Sequence, residues 1–177
     1  MSENDPKFLA IRTSNRLRKL SPGALARLRR MPEDGAVPEF WRLGLPESCK
    51  WVVIARILAI LTDRGEPELR GSLHDESKHF GELLCDGGQA TWTANDRPLL
   101  SELRLAQLLA ARDTVRHVLM IRAVQALRAK HSSSLSVNVA DIALAVLKPE
   151  KNEVIAKPYY QRLDRDIFDK REPQSDD

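Results

Sequence analysis

The sequence predicts an all-α protein made of two small helical bundles joined by a short linker. In several segments the apolar residues recur at the i, i+3, i+4 and i+7 spacing of an amphipathic helix. Serine, aspartate, proline and glycine residues separate these segments as they do at helix ends, and no alternating strands with hairpin turns are evident. With 177 residues, 42% of them apolar, the chain can bury one ordinary core or two small ones.

The first bundle is assigned to residues 1–92. A serine N-cap and a first-turn proline within 21–23 predict one helix, and a short helix is expected over 38–43. Pro46 begins the next helix, which we interpret as the spine of this half. Its apolar stripe consists of Trp51, Ile54, Ala55, Leu58 and Leu61.

A polar segment follows the spine helix. Residues 63–77 contain two glycines and a proline, which predicts a long loop of the kind that often makes functional contacts. A helix is expected from about Glu76 to the glycine pair Gly87 and Gly88. Residues 89–97 are therefore predicted to be the junction between the two bundles.

The second bundle is assigned to residues 93–177. Residues 96–98 combine an aspartate cap with a first-turn proline and predict a helix start. Asp113 is the predicted N-cap of the longest periodic segment, and Ser136 is the predicted cap of the helix after it. A final helix is expected to be disturbed by Pro158 and to be followed by an acidic, frayed end.

The positive charge is concentrated at the beginning of the chain. The net charge is only +3, yet eight basic residues and no acidic residue occur from Lys7 to Arg30. These eight are Lys7, Arg12, Arg16, Arg18, Lys19, Arg27, Arg29 and Arg30. The cluster is compatible with a solvated helix face and equally with a surface that binds a polyanion.

The motifs of common enzymes are missing from the sequence. It contains no glycine-rich phosphate loop, no HExxH element and no GxSxG element, so we expect a non-enzymatic protein without a cofactor. The densest polar group, His74, Asp75 and His79, is interpreted as a polar helix start rather than a metal site, because its spacing fits no standard zinc motif. Trp41 and Trp51 lie in apolar helical patterns, which favours core packing over base stacking.

The composition also predicts the compartment. The first residues are acidic and polar where a signal peptide is basic and then apolar, and no apolar run approaches the roughly 20 residues of a membrane span. Cys49 and Cys85 have no neighbouring cysteine, which indicates reduced thiols. We therefore expect a cytoplasmic protein that has no contact with a membrane.

Three blocks of the sequence occur in an order that resembles a known family. They are residues 25–30 (LARLRR) followed by 37–43 (VPEFWRL), residues 108–115 (LLAARDTV), and residues 135–147 with Val154, Tyr159 and Tyr160. Together they resemble CasB, the small subunit of the type I-E CRISPR Cascade complex. Ala111 stands where the family pattern has an acid, and the basic residues Arg64, Arg70 and Lys78 have no counterparts in that pattern.

The resemblance implies a non-catalytic subunit of an antiviral surveillance complex. Its implied partners are the other Cascade subunits, a second copy of itself, the guide RNA, and the target and displaced DNA strands of the R-loop. Basic residues on helix surfaces would grip phosphates without reading bases, because sequence is read by guide pairing. The residues that the resemblance assigns to nucleic-acid binding are Arg29, Arg30, Lys50, Arg104, Arg122, Lys148 and Lys151.

Two other classes remain open. A helix-turn-helix regulator would also be small, helical and basic, although no tight turn with base-reading side chains can be placed in the sequence. A metal-dependent nuclease would use His74, Asp75 and His79 and would lose cleavage when these are changed to alanine.

Overall fold

The computed structural model describes residues 5–32, 35, 37–93, 95–131 and 135–165, and over these ranges it is all-helical. The predicted fold class is therefore confirmed. The helices are α1 (Pro6–Arg18), α2 (Pro22–Arg29), α3 (Pro38–Arg42), α4 (Cys49–Leu61), α5 (Phe80–Asp86), α6 (Glu102–Ala110), α7 (Asp113–Ala129), α8 (Val139–Leu147) and α9 (Glu153–Leu163), with a 3-10 turn at Pro67–Leu69. No described helix is both long and apolar enough to cross a membrane.

Polar side chains begin several of these helices. The side chain of Asp5 accepts a hydrogen bond from the backbone N–H of Lys7 at the start of α1, and Ser21 does the same for Ala24 in α2. Each cap satisfies a backbone N–H that has no partner within its own helix. The predicted cap and first-turn proline at 21–23 are thus where the structure has them.

The spine helix α4 lies at the centre of the molecule. From Trp51 to Leu61 every side chain except Arg56 is buried. Such all-round burial exceeds the single predicted stripe and follows from packing against α1, α2, α7 and α8. An apolar surface on all sides is typical of a helix in the middle of a core.

The two halves of the chain share this core. Helix α1 of the first half packs on α8 of the second, α4 packs on α7, and α5 packs on α9. One continuous cluster of buried apolar side chains contains residues from both halves. The two-bundle arrangement is therefore not confirmed, and the boundary between 1–92 and 93–177 stays a prediction.

Three predicted helix starts are wrong. The spine helix expected from Pro46 begins at Cys49, because Ser48 is its N-cap and accepts a hydrogen bond from Trp51 N–H. The helix expected from Glu76 begins at Phe80, because the backbone before it bonds elsewhere: Asp75 N–H donates to Val137 O, and Asn138 N–H donates to Lys78 O. The helix expected at 96–98 begins at Glu102. There, Leu99 N–H and Leu100 N–H donate to the carbonyls that end α5, Cys85 O and Leu84 O.

Two predicted N-caps also move. Arg112, not Asp113, is the N-cap of α7, and Asp113 is its first residue, with φ of 48°. Asn138, not Ser136, caps α8 by accepting from Ala140 N–H at 3.1 Å, while the Ser136 hydroxyl accepts a hydrogen bond from Lys78 Nζ. At α8 a tertiary contact explains the difference, because the hydroxyl of Ser136 is bonded to Lys78 and the cap lies two residues later.

The last helix continues through its proline. Helix α9 runs from Glu153 to Leu163 with Pro158 inside it, so the expected disturbance does not end the helix. It approaches α5 so closely that a Cβ on Gly81 would overlap the carbonyl oxygen of Ile155. The hydroxyl of Tyr159 donates to Leu100 O at 2.6 Å. The predicted frayed end lies, apart from its first residues, outside the described residues.

Two arginines, Arg70 and Arg116, are buried and form no ion pair with a described residue. Arg70 donates to the carbonyls at the end of α1, including Arg18 O at 3.0 Å and Leu20 O at 2.6 Å. Arg116, only 2% exposed, donates to Leu108 O near the end of α6 and to Ala145 O in α8. Carbonyls at helix C-termini carry partial negative charge, so each guanidinium stabilises helix ends.

The three tryptophans differ in how much of the side chain is exposed to solvent. Trp51 is buried, as expected, whereas Trp41 is 49% exposed, so the prediction of core packing is wrong for Trp41. Trp92 in the junction is buried.

Both cysteines are free thiols, with Cys49 exposed and Cys85 buried. Burial raises the pKa of Cys85 to about 12, which keeps this thiol protonated and unreactive at neutral pH.

Candidate nucleic-acid interface

A groove rich in arginine lies where α2, α4 and α7 end. Its volume is about 810 Å³. We call it the basic groove, and its lining residues are Ala26, Arg29, Arg30, Ile60, Arg64, Gln125, Arg128, Ala129 and His131. None of the described lining residues is acidic. The groove therefore brings together four guanidinium groups from three separate parts of the chain.

Arg29 is fixed against the end of α4. Its Nε donates to Ala59 O at 2.8 Å, and a terminal nitrogen donates to Thr62 O at 2.7 Å. The backbone carbonyl of Arg29 in turn accepts a hydrogen bond from Arg56 Nε at 3.1 Å. Both side-chain bonds satisfy carbonyls that have no partner within α4, so Arg29 has a structural role as well as a place in the groove.

Arg30 and Arg64 are the exposed arginines of the groove. Arg30 makes one long hydrogen bond, 3.3 Å from its Nε to Ala26 O in the preceding turn. Arg64 makes no hydrogen bond or ion pair with another described residue, and it extends from the loop that follows α4. These two side chains can reorient toward a ligand without breaking a strong internal contact.

Arg128 is balanced by a neighbouring carboxylate. One of its terminal nitrogens lies 3.1 Å from Asp63 Oδ1, and both side chains are mostly buried. The other three arginines of the basic groove form no ion pair with a described residue. Positive charge therefore exceeds negative charge among the described residues of the groove.

The crowding of positive charge affects the pKa of Arg29. Burial, followed by the guanidinium groups of Arg64, Arg128 and Arg70, lowers the pKa of Arg29, while Asp63 acts in the opposite direction. An arginine remains protonated at neutral pH even so. Backbone carbonyls stabilise these neighbouring guanidinium groups through their partial negative charge. Because a carbonyl has no net charge, the positive charge of the groove is not neutralised.

The sequence-predicted site residues divide into three places. Arg29 and Arg30 lie in the basic groove. Arg104 and Arg122 line a second groove of about 330 Å³ between α6 and α7, where Leu108 and Leu119 contribute apolar surface. Both arginines are exposed and make no side-chain contact of opposite charge with a described residue.

The three predicted lysines gather elsewhere. Lys50 Nζ donates to Leu147 O at the end of α8, at 3.1 Å. Lys148 follows directly, and Lys151 N–H donates to Lys148 O, so all three belong to one region. Lys50 lies in the first turn of α4, whereas Arg29 binds the last turn, which separates the two places by about 15 Å along the helix axis.

The cationic block at the beginning of the chain is only slightly neutralised. Arg27 pairs with Glu39, with 2.7 Å between Nε and Oε1, and this is the only ion pair of the block among the described residues. Arg16 donates to Leu43 O at 2.6 Å and Arg12 donates to Gly44 O at 3.4 Å, so their contacts are to carbonyls. Most of its positive charge therefore remains.

Sequence reasoning missed half of the arginines in the basic groove. Arg64 lies in the loop at 63–77 that was expected to make functional contacts, and that expectation is the signal that could have found it. Arg128 lies in the last turn of α7, outside the cationic block, and was not among the predicted residues. Neither is near Arg29 in the chain, so only the packing of α4 on α7 and α2 brings them together.

The alternative metal group is engaged in separate contacts. His79 Nδ1 lies 2.9 Å from Asp141 Oδ2, and Asp75 accepts hydrogen bonds from both the backbone N–H and the hydroxyl of Ser77. These bonds lower the pKa of Asp75. Across the described ranges, no three histidine, cysteine, aspartate or glutamate side chains are grouped so that they could hold a metal ion.

Comparisons with known proteins return nothing similar. No protein-family model, no curated protein and no solved structure matches this chain. The functional conclusion therefore depends on the geometry of the basic groove and on the resemblance of the three sequence blocks.

Proposed function

We propose that this protein is a non-catalytic small subunit of a type I-E CRISPR surveillance complex of the CasB kind. It binds the sugar-phosphate backbone of nucleic acid without reading sequence, and so stabilises guide pairing and the displaced strand. Its partners are the other Cascade subunits, a second copy of itself, guide RNA and both DNA strands. It acts in the cytoplasm, where those partners assemble.

The basic groove is the observation that supports this proposal most strongly. Arg29, Arg30 and Arg64 line it without a carboxylate partner among the described residues, and Arg128 pairs with Asp63. Guanidinium groups match phosphate geometry and release the counterions of a nucleic acid when they bind. Backbone contacts of modest strength are sufficient in this role, since opening a duplex against a guide is nearly balanced in free energy.

The predicted binding residues outside the basic groove form two further positive regions. Arg104 and Arg122 form one pair, and Lys50, Lys148 and Lys151 form a lysine group that lies about 15 Å from the basic groove along α4. Separate positive regions suit a protein that contacts more than one strand. Each region is expected to contribute to the salt dependence in proportion to the phosphates that it neutralises.

The test is a titration of single-stranded DNA and RNA with the purified protein over a series of salt concentrations. Wild-type protein is expected to bind without sequence preference and to weaken steeply with salt. Arg30→Gln combined with Arg64→Gln should reduce the salt slope by roughly two units, since each change removes about one phosphate contact. Neither side chain makes a strong contact with a described residue, so the fold should be preserved.

Lys157→Gln is the matched control. Lys157 is exposed on α9, carries the same charge and does not line the basic groove. Its substitution should leave the slope unchanged. An equal loss of slope in the control and in the double variant would contradict a role for the groove, and an absence of any binding at low salt would reject the proposal.

The complex itself provides a second test. The chain should co-purify with a guide-RNA complex that contains the other Cascade subunits. A strong preference for one duplex sequence would favour a helix-turn-helix regulator instead. Cleavage of single-stranded DNA that is abolished by a chelator and by alanine at His74, Asp75 or His79 would favour a metal-dependent nuclease.

A further inference from the structure

Trp41 is the exposed tryptophan of the described chain. Nearly half of its surface, 49%, is open to solvent, whereas Trp51 and Trp92 are 5% exposed. Tryptophan is the largest apolar side chain, and leaving this much of it in water forgoes a substantial part of its burial free energy. Such a residue on a surface is typical of a site that another molecule covers.

The ring of Trp41 is held by its neighbour. Phe40, which is buried, meets it edge to face, with ring centroids 5.3 Å apart and an angle of 73° between the planes. Helix α3 carries both residues, and Gly44 N–H closes the following turn on Trp41 O at 3.2 Å. A ring supported in this way offers a flat surface that needs little ordering before a ligand stacks on it.

Three arginines lie at or near the end of α3. Arg16 donates to Leu43 O at 2.6 Å and Arg12 donates to Gly44 O at 3.4 Å, and these two carbonyls belong to the second and third residues after Trp41. Arg42, the next residue after Trp41, is exposed. Along α1, a groove of about 320 Å³ continues from the same two arginines, lined by Phe8, Ile11, Arg12, Asn15, Arg16 and Lys19.

The carboxylate of α3 itself is already bonded to an arginine. Glu39 is buried and hydrogen-bonded to Arg27. Arg12, Arg16 and Arg42 form no ion pair with a described residue. The surface therefore combines one exposed aromatic ring with an excess of positive charge.

We infer that Trp41 is a base-stacking site for single-stranded nucleic acid, with Arg12, Arg16 and Arg42 binding the flanking phosphates. A base offers a flat π-face to the ring, and single strands bind proteins through this combination of aromatic platforms and basic tracks. A base in a duplex is stacked on its neighbours, so the site selects unpaired strand. This inference rests on the proposed function and adds to it a site separate from the basic groove.

A protein partner is the competing occupant. Tryptophan and arginine are both common in the energetically important centres of protein interfaces. The charge favours nucleic acid, because the surface supplies several guanidinium groups and none of the described residues that line the groove along α1 is acidic. The choice between the two occupants is one outcome of the test.

The experiment uses the intrinsic fluorescence of the full chain together with two oligomers of about 20 nucleotides, an oligothymidylate and an abasic strand with the same phosphates. Binding of oligothymidylate should quench and shift Trp41 emission, because the other described tryptophans are buried. The abasic strand should bind without that signal. Trp41→Ala should bind oligothymidylate roughly five- to 150-fold more weakly and the abasic strand with unchanged affinity.

Two further variants make the test specific. Trp41→Phe keeps a smaller aromatic face and should recover part of the affinity for oligothymidylate. Leu69→Ala removes another exposed apolar side chain, 84% exposed, and should change nothing. Circular dichroism of each variant checks that the helices are intact.

The outcomes separate this inference from the proposed function. Equal affinity of wild type and Trp41→Ala for oligothymidylate, with salt-dependent binding retained, would overturn base stacking and leave the basic groove as the interface. Failure of the wild type to bind either strand at low salt would overturn both. A change in Trp41 emission on assembly with protein subunits alone, and none with oligothymidylate, would replace the nucleic acid by a protein partner.

Discussion

Arg162 and Asp86 form a buried ion pair that joins α9 to α5. The distance from Arg162 Nε to Asp86 Oδ2 is 2.7 Å, and both side chains are less than a tenth exposed. Arg162 also donates to Trp92 O at 3.0 Å and lies over the Trp92 ring, 4.9 Å from its centre. The last described helix is thereby fixed to the junction in the middle of the chain.

Removing one partner of this pair should strongly destabilise the protein. Arg162→Ala leaves the Asp86 carboxylate buried without its cation and should lower the free energy of unfolding by about 3–5 kcal/mol. Urea unfolding followed by circular dichroism measures this. Arg165→Ala, an exposed arginine one turn further on, is the control and should stay within about 0.5 kcal/mol of wild type. If both variants changed the free energy of unfolding by a similarly small amount, the ion pair of Arg162 and Asp86 would contribute little to stability.

The contact between α5 and α9 requires a glycine. At Gly81 a new Cβ would overlap Ile155 O, a backbone atom that moves only with α9 itself. Although alanine has the higher helix propensity, Gly81→Ala should therefore destabilise the fold by about 1–3 kcal/mol.

Gly23 provides a matched comparison for Gly81. It lies in the first turn of α2, where the nearest atom to a new Cβ would be Arg27, at an ordinary contact distance of 3.8 Å. Gly23→Ala should therefore stabilise the protein by about 0.4–1 kcal/mol. Thermal unfolding of both variants tests the pair, and a shift in the same direction for the two would contradict the close approach of α5 to α9.

Arg29 and Arg30 are neighbours in sequence but should differ in their effect on stability. Arg29→Ala removes hydrogen bonds to Ala59 O and Thr62 O at the end of α4 and should cost about 1–3 kcal/mol. Arg30→Ala removes one long bond from an exposed side chain and should change stability by less than about 0.5 kcal/mol. Chemical unfolding distinguishes them, and both variants should weaken nucleic-acid binding.

Glu39 gives the stability a defined dependence on acid. The hydrogen bond from Arg27, more than any other contact, lowers the pKa of Glu39 in the folded protein below its usual 4.5. Its contribution to stability is therefore complete above about pH 4.5 and is lost as the pH falls through the lower folded pKa. Glu39→Gln should flatten this part of the stability profile.

Urea midpoints from neutral pH downward measure the effect of Glu39. Wild-type protein should lose stability below pH 4.5 more steeply than Glu39→Gln. Glu47→Gln, which changes an exposed glutamate outside the ion pairs of the described chain, is expected to follow wild type. Parallel profiles for wild type and Glu39→Gln would mean that Arg27 and Glu39 are not paired in solution.

The local signals in the sequence were sufficient for much of the fold. The cap at Ser21, the apolar stripe of α4 and the long periodic segment after Asp113 each depend on residues close in the chain, and each corresponds to a helix in the structure. Where tertiary hydrogen bonds compete, these signals fail. The backbone before Phe80 bonds with Val137 and Asn138, and no local pattern encodes that choice.

Only the part of the candidate site that depends on residues close in the chain could be predicted from the sequence. Arg29 and Arg30 belong to a cationic block that is visible in the sequence, whereas Arg64 and Arg128 reach the basic groove only through packing between distant helices. Trp41 was placed in the core because its neighbours are apolar. Helix α3 has only five residues and buries Phe40 rather than Trp41, and a pattern that short cannot determine which side faces inward.

The double anchorage of Arg29 also affects how tightly a ligand can bind. A free arginine on a surface samples many rotamers, and immobilising such a side chain on association typically costs about 0.5–1.5 kcal/mol. Because Ala59 and Thr62 already hold the guanidinium of Arg29 in one orientation, this loss of freedom occurs during folding. A phosphate that arrives at this residue meets a preorganised partner, and its dissociation rate should be correspondingly slower.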